Sequence, residues 1–69
     1  MTEKYVVTGF YRELYYVSEY RNYGNYLTAT LNLSKSKNLA TKMDLSSAAD
    51  AAKLLKNRGF VEINIKEIK

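Results

Sequence analysis

Asp44-Leu45-Ser46-Ser47-Ala48-Ala49-Asp50-Ala51-Ala52-Lys53-Leu54-Leu55-Lys56-Asn57-Arg58-Gly59-Phe60-Val61-Glu62-Ile63-Asn64-Ile65 is the stretch in which the hydrophobic period changes from helical to extended. Ala48, Ala51, Ala52 and Leu55 recur at i, i+3, i+4 and i+7 with Leu54 beside them, the spacing of one helix face. Asp44, Ser46 and Ser47 are N-cap candidates, and Ser47 with Asp50 has the form of a capping box with Asp in place of Glu. Lys56 and Arg58 complement the dipole in the last turn, and Gly59 is placed to stop a helix that runs to about Asn57. From Phe60 to Ile68 the period becomes two, with Val61, Ile63 and Ile65 opposite Glu62, Asn64 and Lys66, so a strand follows the helix.

Upstream the chain reads as three strands. Lys4 to Thr8 is rich in β-formers and ends at Gly9, where a turn is cheap; Leu14 to Tyr20 follows after an interval, Gly9 to Arg12, short enough for a hairpin. Arg21-Asn22-Tyr23-Gly24-Asn25 supplies a second turn. Tyr26 to Leu33 then alternates, with Leu27, Ala29, Leu31 and Leu33 on one face. Ser34 to Lys42 is polar and reads as a loop. The expected fold is α+β: a three-stranded antiparallel meander, one helix and a fourth C-terminal strand (βββαβ), in a single sheet of order 3-2-1-4 with the helix on one face. A helical crossover of ordinary form would set strand four parallel to strands three and one. All 69 residues belong to one small domain.

A core of this size rarely supplies more than about 3–5 kcal/mol of net stability. Without cysteine, neither disulfides nor thiolate zinc sites can add to it, which leaves close packing, a partner subunit such as a second copy, or a bound target. The helix face is mostly alanine, so bulk must come from Val7, Leu27, Leu31, Ile63, Ile65 and some of the tyrosines. Met1-Thr2-Glu3-Lys4 leads into no long apolar run, and no stretch approaches the ~20 apolar residues of a membrane span. A soluble cytoplasmic protein is expected.

All 7 tyrosines lie between Tyr5 and Tyr26, and the chain lacks His, Cys, Trp and Pro. The missing types remove most nucleophile–base and metal-ligand chemistry, so neither an enzyme nor a metal or cofactor site is expected. Glu13 and Glu19 on one hairpin read as solubilising charges, and the isolated glycines form no phosphate loop. Tyr20, Arg21, Tyr23 and Tyr26, with Tyr11 and Arg12 of the first hairpin, have the composition of surfaces that bind through rigid aromatic anchors and adaptable polar neighbours; they are the candidate partner-binding residues. The excess of 11 Lys and Arg over 7 Asp and Glu gives +4 and makes Lys35, Lys37, Lys42 and Lys53 candidates for phosphate contact, beside the plainer role of a solvated face.

Leu33-Ser34-Lys35-Ser36-Lys37-Asn38-Leu39-Ala40-Thr41-Lys42-Met43-Asp44, then Ser46 to Ala52 and Gly59-Phe60-Val61-Glu62-Ile63, resembles the ending of many short accessory proteins of bacteriophages and prophages of Gram-positive bacteria. There too a strand passes through a Lys-rich turn to an Ala-rich helix, a glycine and a β-branched strand. The resemblance implies an accessory factor and carries no activity or site with it. The expected function is therefore a small non-enzymatic protein that contacts a host protein or itself through a tyrosine-rich hairpin face. The alternative is DNA binding through the sheet, since the order of three strands and a helix resembles that of strand-reading DNA domains in some integrases and plant transcription factors.

Overall fold

In the computed structural model, which describes residues 4–21, 24 and 29–68, the chain forms β1 (Tyr5–Tyr11), β2 (Glu13–Arg21), β3 (Thr30–Ser34), a 3-10 turn (Lys37–Leu39), α1 (Leu45–Asn57) and β4 (Val61–Glu67). The four strands make one sheet in the order β3-β2-β1-β4, and α1 packs against one face of it. Residues Asn22, Tyr23, Asn25, Tyr26, Leu27 and Thr28, and with them most of the second turn and the start of the third strand, lie outside the described residues.

β4 runs antiparallel to β1, not parallel, with Tyr5 opposite Glu67 and Val7 opposite Ile65. The cause lies in the segment between β3 and α1. It is no idle loop: after the 3-10 turn it crosses back toward the start of β1, where Met43 exchanges two hydrogen bonds of 2.9 Å with Tyr5. The opposite edge of Tyr5 already faces Glu67, so Met43 sits on the β2 side. There the registered β1–β2 pairs end at Thr8–Tyr16, and the Thr41 N–H donates to the freed Val17 carbonyl at 3.0 Å. α1 thus starts beside the beginning of β1 and climbs alongside it, so β4 must descend.

α1 begins at Asp44, whose carboxylate accepts from the Ser47 N–H at 3.0 Å, so Asp44 takes the N-cap and the Ser47–Asp50 box does not form. Hydrogen bonds from Ser47, hydroxyl first and N–H second, hold the Asp44 carboxyl below its ordinary pKa. The charged cap is thus intact at neutral pH, and its contribution is lost as pH falls through that lowered value. At the other end, Gly59 adopts φ +92°, its N–H donating to the Lys56 carbonyl at 3.1 Å while the Phe60 N–H donates to that of Leu55 at 3.0 Å. This double closure satisfies the last carbonyls, needs the left-handed conformation that glycine accepts, and brings Phe60 over Leu55.

Gly9, expected to end the first strand, lies buried within β1. A Cβ there would stand 3.1 Å from both Leu55 Cδ1 and Phe60 Cδ2, so the missing side chain is the seat for the end of the helix. The strand continues to Tyr11, and the reversal is made at Arg12 alone, between the paired Tyr11 and Glu13.

The core consists of Val7, Val17, Leu31, Met43, Ala48, Ala51 and Leu55, with Tyr5, Tyr20, Leu33, Phe60 and Ile63 packed around it. Met43 and Val17 supply bulk expected of Ile65, which is 40% exposed although it opposes Val7 on the edge strand β4. Two register shifts sort the faces. Between Val17 and Glu19, β2 carries one residue more than β3, so Val17 and Tyr20 both reach the core while Glu19 turns away. On β4 the extra residue falls near Glu62, at φ +50°, which parts Ile63 from Val61 and breaks the expected common face.

Leu55 is fully buried, and Leu55→Ala should cost about 2–5 kcal/mol in chemical denaturation, comparable to the whole stability of so small a domain. Gly9→Ala should also destabilise, by about 1–3 kcal/mol, since the neighbours at 3.1 Å must yield. A Gly9→Ala midpoint equal to that of wild type would show that Leu55 and Phe60 shift freely.

Candidate functional site

Alternation leaves a second sheet face that α1 does not cover. On it, register places Leu14, Phe10 and Val61 side by side across β2, β1 and β4. All three are apolar and open, at 46%, 38% and 56% exposure. The next row is Tyr16, Thr8 and Asn64, and beyond it Val6 faces Lys66. The segment from the 3-10 turn to Lys42 lies along this lower part and forms one bank of a groove, with residues 64–68 as the other. Val6, 9% exposed and outside the main core, is part of its floor.

The sequence-based candidates divide among these surroundings. Tyr11 and Arg12 stand at the tip of the β1–β2 hairpin, with Tyr11 on the helix side of the sheet: it is 49% exposed, its ring 5.5 Å from that of Phe60, and the Arg12 guanidinium lies 5.7 Å from the Tyr11 ring centre. Tyr20 is half-buried against the core, as an aromatic filling a small sheet would be. Arg21 reaches back to Glu19 at 2.7 Å, and Asn32 of β3 donates to the other oxygen of the same carboxylate at 2.7 Å. Tyr23 and Tyr26 lie outside the described residues.

The lysines also separate. Lys35 pairs with Glu13 at 2.6 Å, and the Tyr15 hydroxyl donates to the same oxygen at 3.4 Å. The hydrogen bond from Lys35 is the main cause holding the Glu13 carboxyl below its usual range, and the reciprocal bond raises Lys35. Glu13's share of stability is thus lost as pH falls through its lowered value, and that of Lys35 as pH rises through its raised one. Lys53 sits on α1, remote from the open face. Lys37 and Lys42 line the groove, where Lys66 joins them from β4.

Phe10, Leu14, Val61, Tyr16 and Lys66 were not singled out from sequence. Their signal is that β1 carries apolar residues at both parities, Val7 toward the helix and Val6 and Phe10 away from it. Among the described residues no three His, Cys, Asp or Glu side chains gather where they could hold a metal ion. None of the described helices is long and apolar enough to cross a membrane.

Arg12 holds φ +65° at the hairpin tip, a region costing a side-chain-bearing residue about 1–2 kcal/mol. Arg12→Gly should therefore raise stability, by at most about 1 kcal/mol once glycine's greater unfolded-state freedom is subtracted. A fall in the thermal midpoint would mean that the Arg12–Tyr11 contact outweighs the backbone strain.

Set against protein-family models, curated proteins and solved structures, the chain shows no significant match to any of them, so the functional reading rests on the chemistry of these surfaces.

Proposed function

We propose that the protein is a non-enzymatic binding module, an accessory factor of phage type, that grips a protein surface through the open sheet face at the β1–β2 hairpin. One observation carries the reading: Leu14, Phe10 and Val61 form an exposed apolar row on the sheet face opposite the helix. Side chains of that size left in water on adjacent strands cost hydrophobic free energy that a partner would recover, and an aromatic such as Phe10 at the centre of the row is the kind of anchor from which most binding energy comes. The phage-like second half supports the accessory role. A duplex read by the sheet has less support, because the centre of the open face carries Phe10, Leu14 and Val61 where donors to phosphates and bases would be needed.

The test is a paired one. Leu14→Ser with Val61→Thr keeps strand-compatible residues at outward positions, so the melt should stay within a few degrees of wild type. Wild type should either self-associate in sedimentation over a concentration series or retrieve a specific protein from bacterial lysate, and the double variant should lose that association by tenfold or more. A wild type that stays monomeric and recovers only what the double variant recovers would rule the reading out.

A further inference from the structure

At the other end of the open face the groove has a different chemistry. Lys37 and Lys42 line it from the bank formed by the segment before α1, and Lys66 from β4. Among the described residues no ion pair engages any of the three, and the one carboxylate found in the lining, Glu67, is taken by Lys4 at 2.7 Å. Lys42 is set by its neighbour: Met43 is buried in the core and bonded to Tyr5, so alternation along this extended segment leaves Lys42 on the groove side. Between the banks lie Tyr16, half-buried on β2, the polar side chains of Thr8 and Asn64, and the apolar Val6.

From this arrangement we propose that the groove binds single-stranded nucleic acid, the lysines contacting successive phosphates and the Tyr16 ring stacking on a base. Three points of positive charge on both sides of a channel follow a chain of phosphates, and lysine serves phosphate as a point charge without the planar fork that carboxylates reward. An aromatic ring on the floor offers a base a stacking surface, the combination by which single strands are held without regard to sequence. A duplex keeps its bases paired inside and cannot reach Tyr16. An acidic peptide would satisfy the lysines but leave the ring unused. This site and the apolar row share a face but no residue, so either can fail alone.

The experiment is fluorescence anisotropy with a labelled oligothymidine of about fifteen nucleotides, at 50 and 200 mM salt, with a duplex of equal length and polyglutamate as competitors. Three phosphate contacts on a single strand predict a salt slope near −2, so affinity should fall roughly 20-fold between the two concentrations. Lys37→Gln, Lys42→Gln and Lys66→Gln together, all at exposed positions, should abolish that dependence, whereas Lys53→Gln on the helix should leave the affinity within twofold. Tyr16→Phe should bind as wild type, and Tyr16→Thr should weaken binding about tenfold or more with the salt slope unchanged. No binding at 50 mM salt, an equal loss from Lys53→Gln, or equal competition by duplex or polyglutamate would each overturn the proposal.

Discussion

The two hydrogen bonds between Met43 and Tyr5 decide how the rest of this chain is arranged. They hold the segment before α1 at the beginning of β1, filling the gap where β2 parts from it after the Thr8–Tyr16 pair. With the helix start pinned there, the 13 residues of α1 can only run toward the hairpin end of β1, and β4 returns antiparallel along its free edge. The same anchor places Met43 in the core. It also keeps Lys42 on the opposite face, so one short segment closes the fold on one side and builds a groove on the other.

The far end of the helix is fixed by complementary shapes. The glycine closure at Gly59 brings Phe60 back over Leu55, and both enter the space that Gly9 leaves open on β1. An alanine-lined helix lets the backbone approach the sheet closely but fills little volume, so its one fully buried leucine, Leu55, and the returning phenylalanine matter more than their number suggests. Tyr11 and Tyr15 meet the Phe60 ring from β1 and β2, at 5.5 and 5.8 Å between centroids, which accounts for part of the tyrosine excess by packing at the hairpin end.

Each register shift keeps the two faces distinct in a place where strict alternation would mix them. Without the extra residue in β2, Tyr20 would turn to solvent and Glu19 toward Leu31; with it, Glu19 joins Arg21 and Asn32 on the outside. Near Glu62 the shift lets Ile63 face inward while Val61 joins Phe10 and Leu14. The open face that results has an apolar end and a basic end, chemically suited to different occupants. Neither end is visible as a motif, because its members come from strands far apart in sequence.

The order of elements, the helix from about Leu45 to Asn57, its glycine stop and the sheet order 3-2-1-4 were legible in the sequence, because periodicity, caps and short connections act over a few residues. So were the inward Val7, Leu31, Ala48, Ala51 and Leu55. The tertiary structure alone decided the direction of β4, since a polar segment such as Ser34 to Lys42 does not announce that it will pair with a distant strand. It alone decided that Gly9 lies inside a strand, since the glycine that frees a turn and the glycine that admits a neighbouring side chain look the same in one dimension. And it alone separated the lysines, because whether a cation is paired, as Lys35 is with Glu13, or left along a groove, as Lys37, Lys42 and Lys66 are, depends on which strand packing brings beside it.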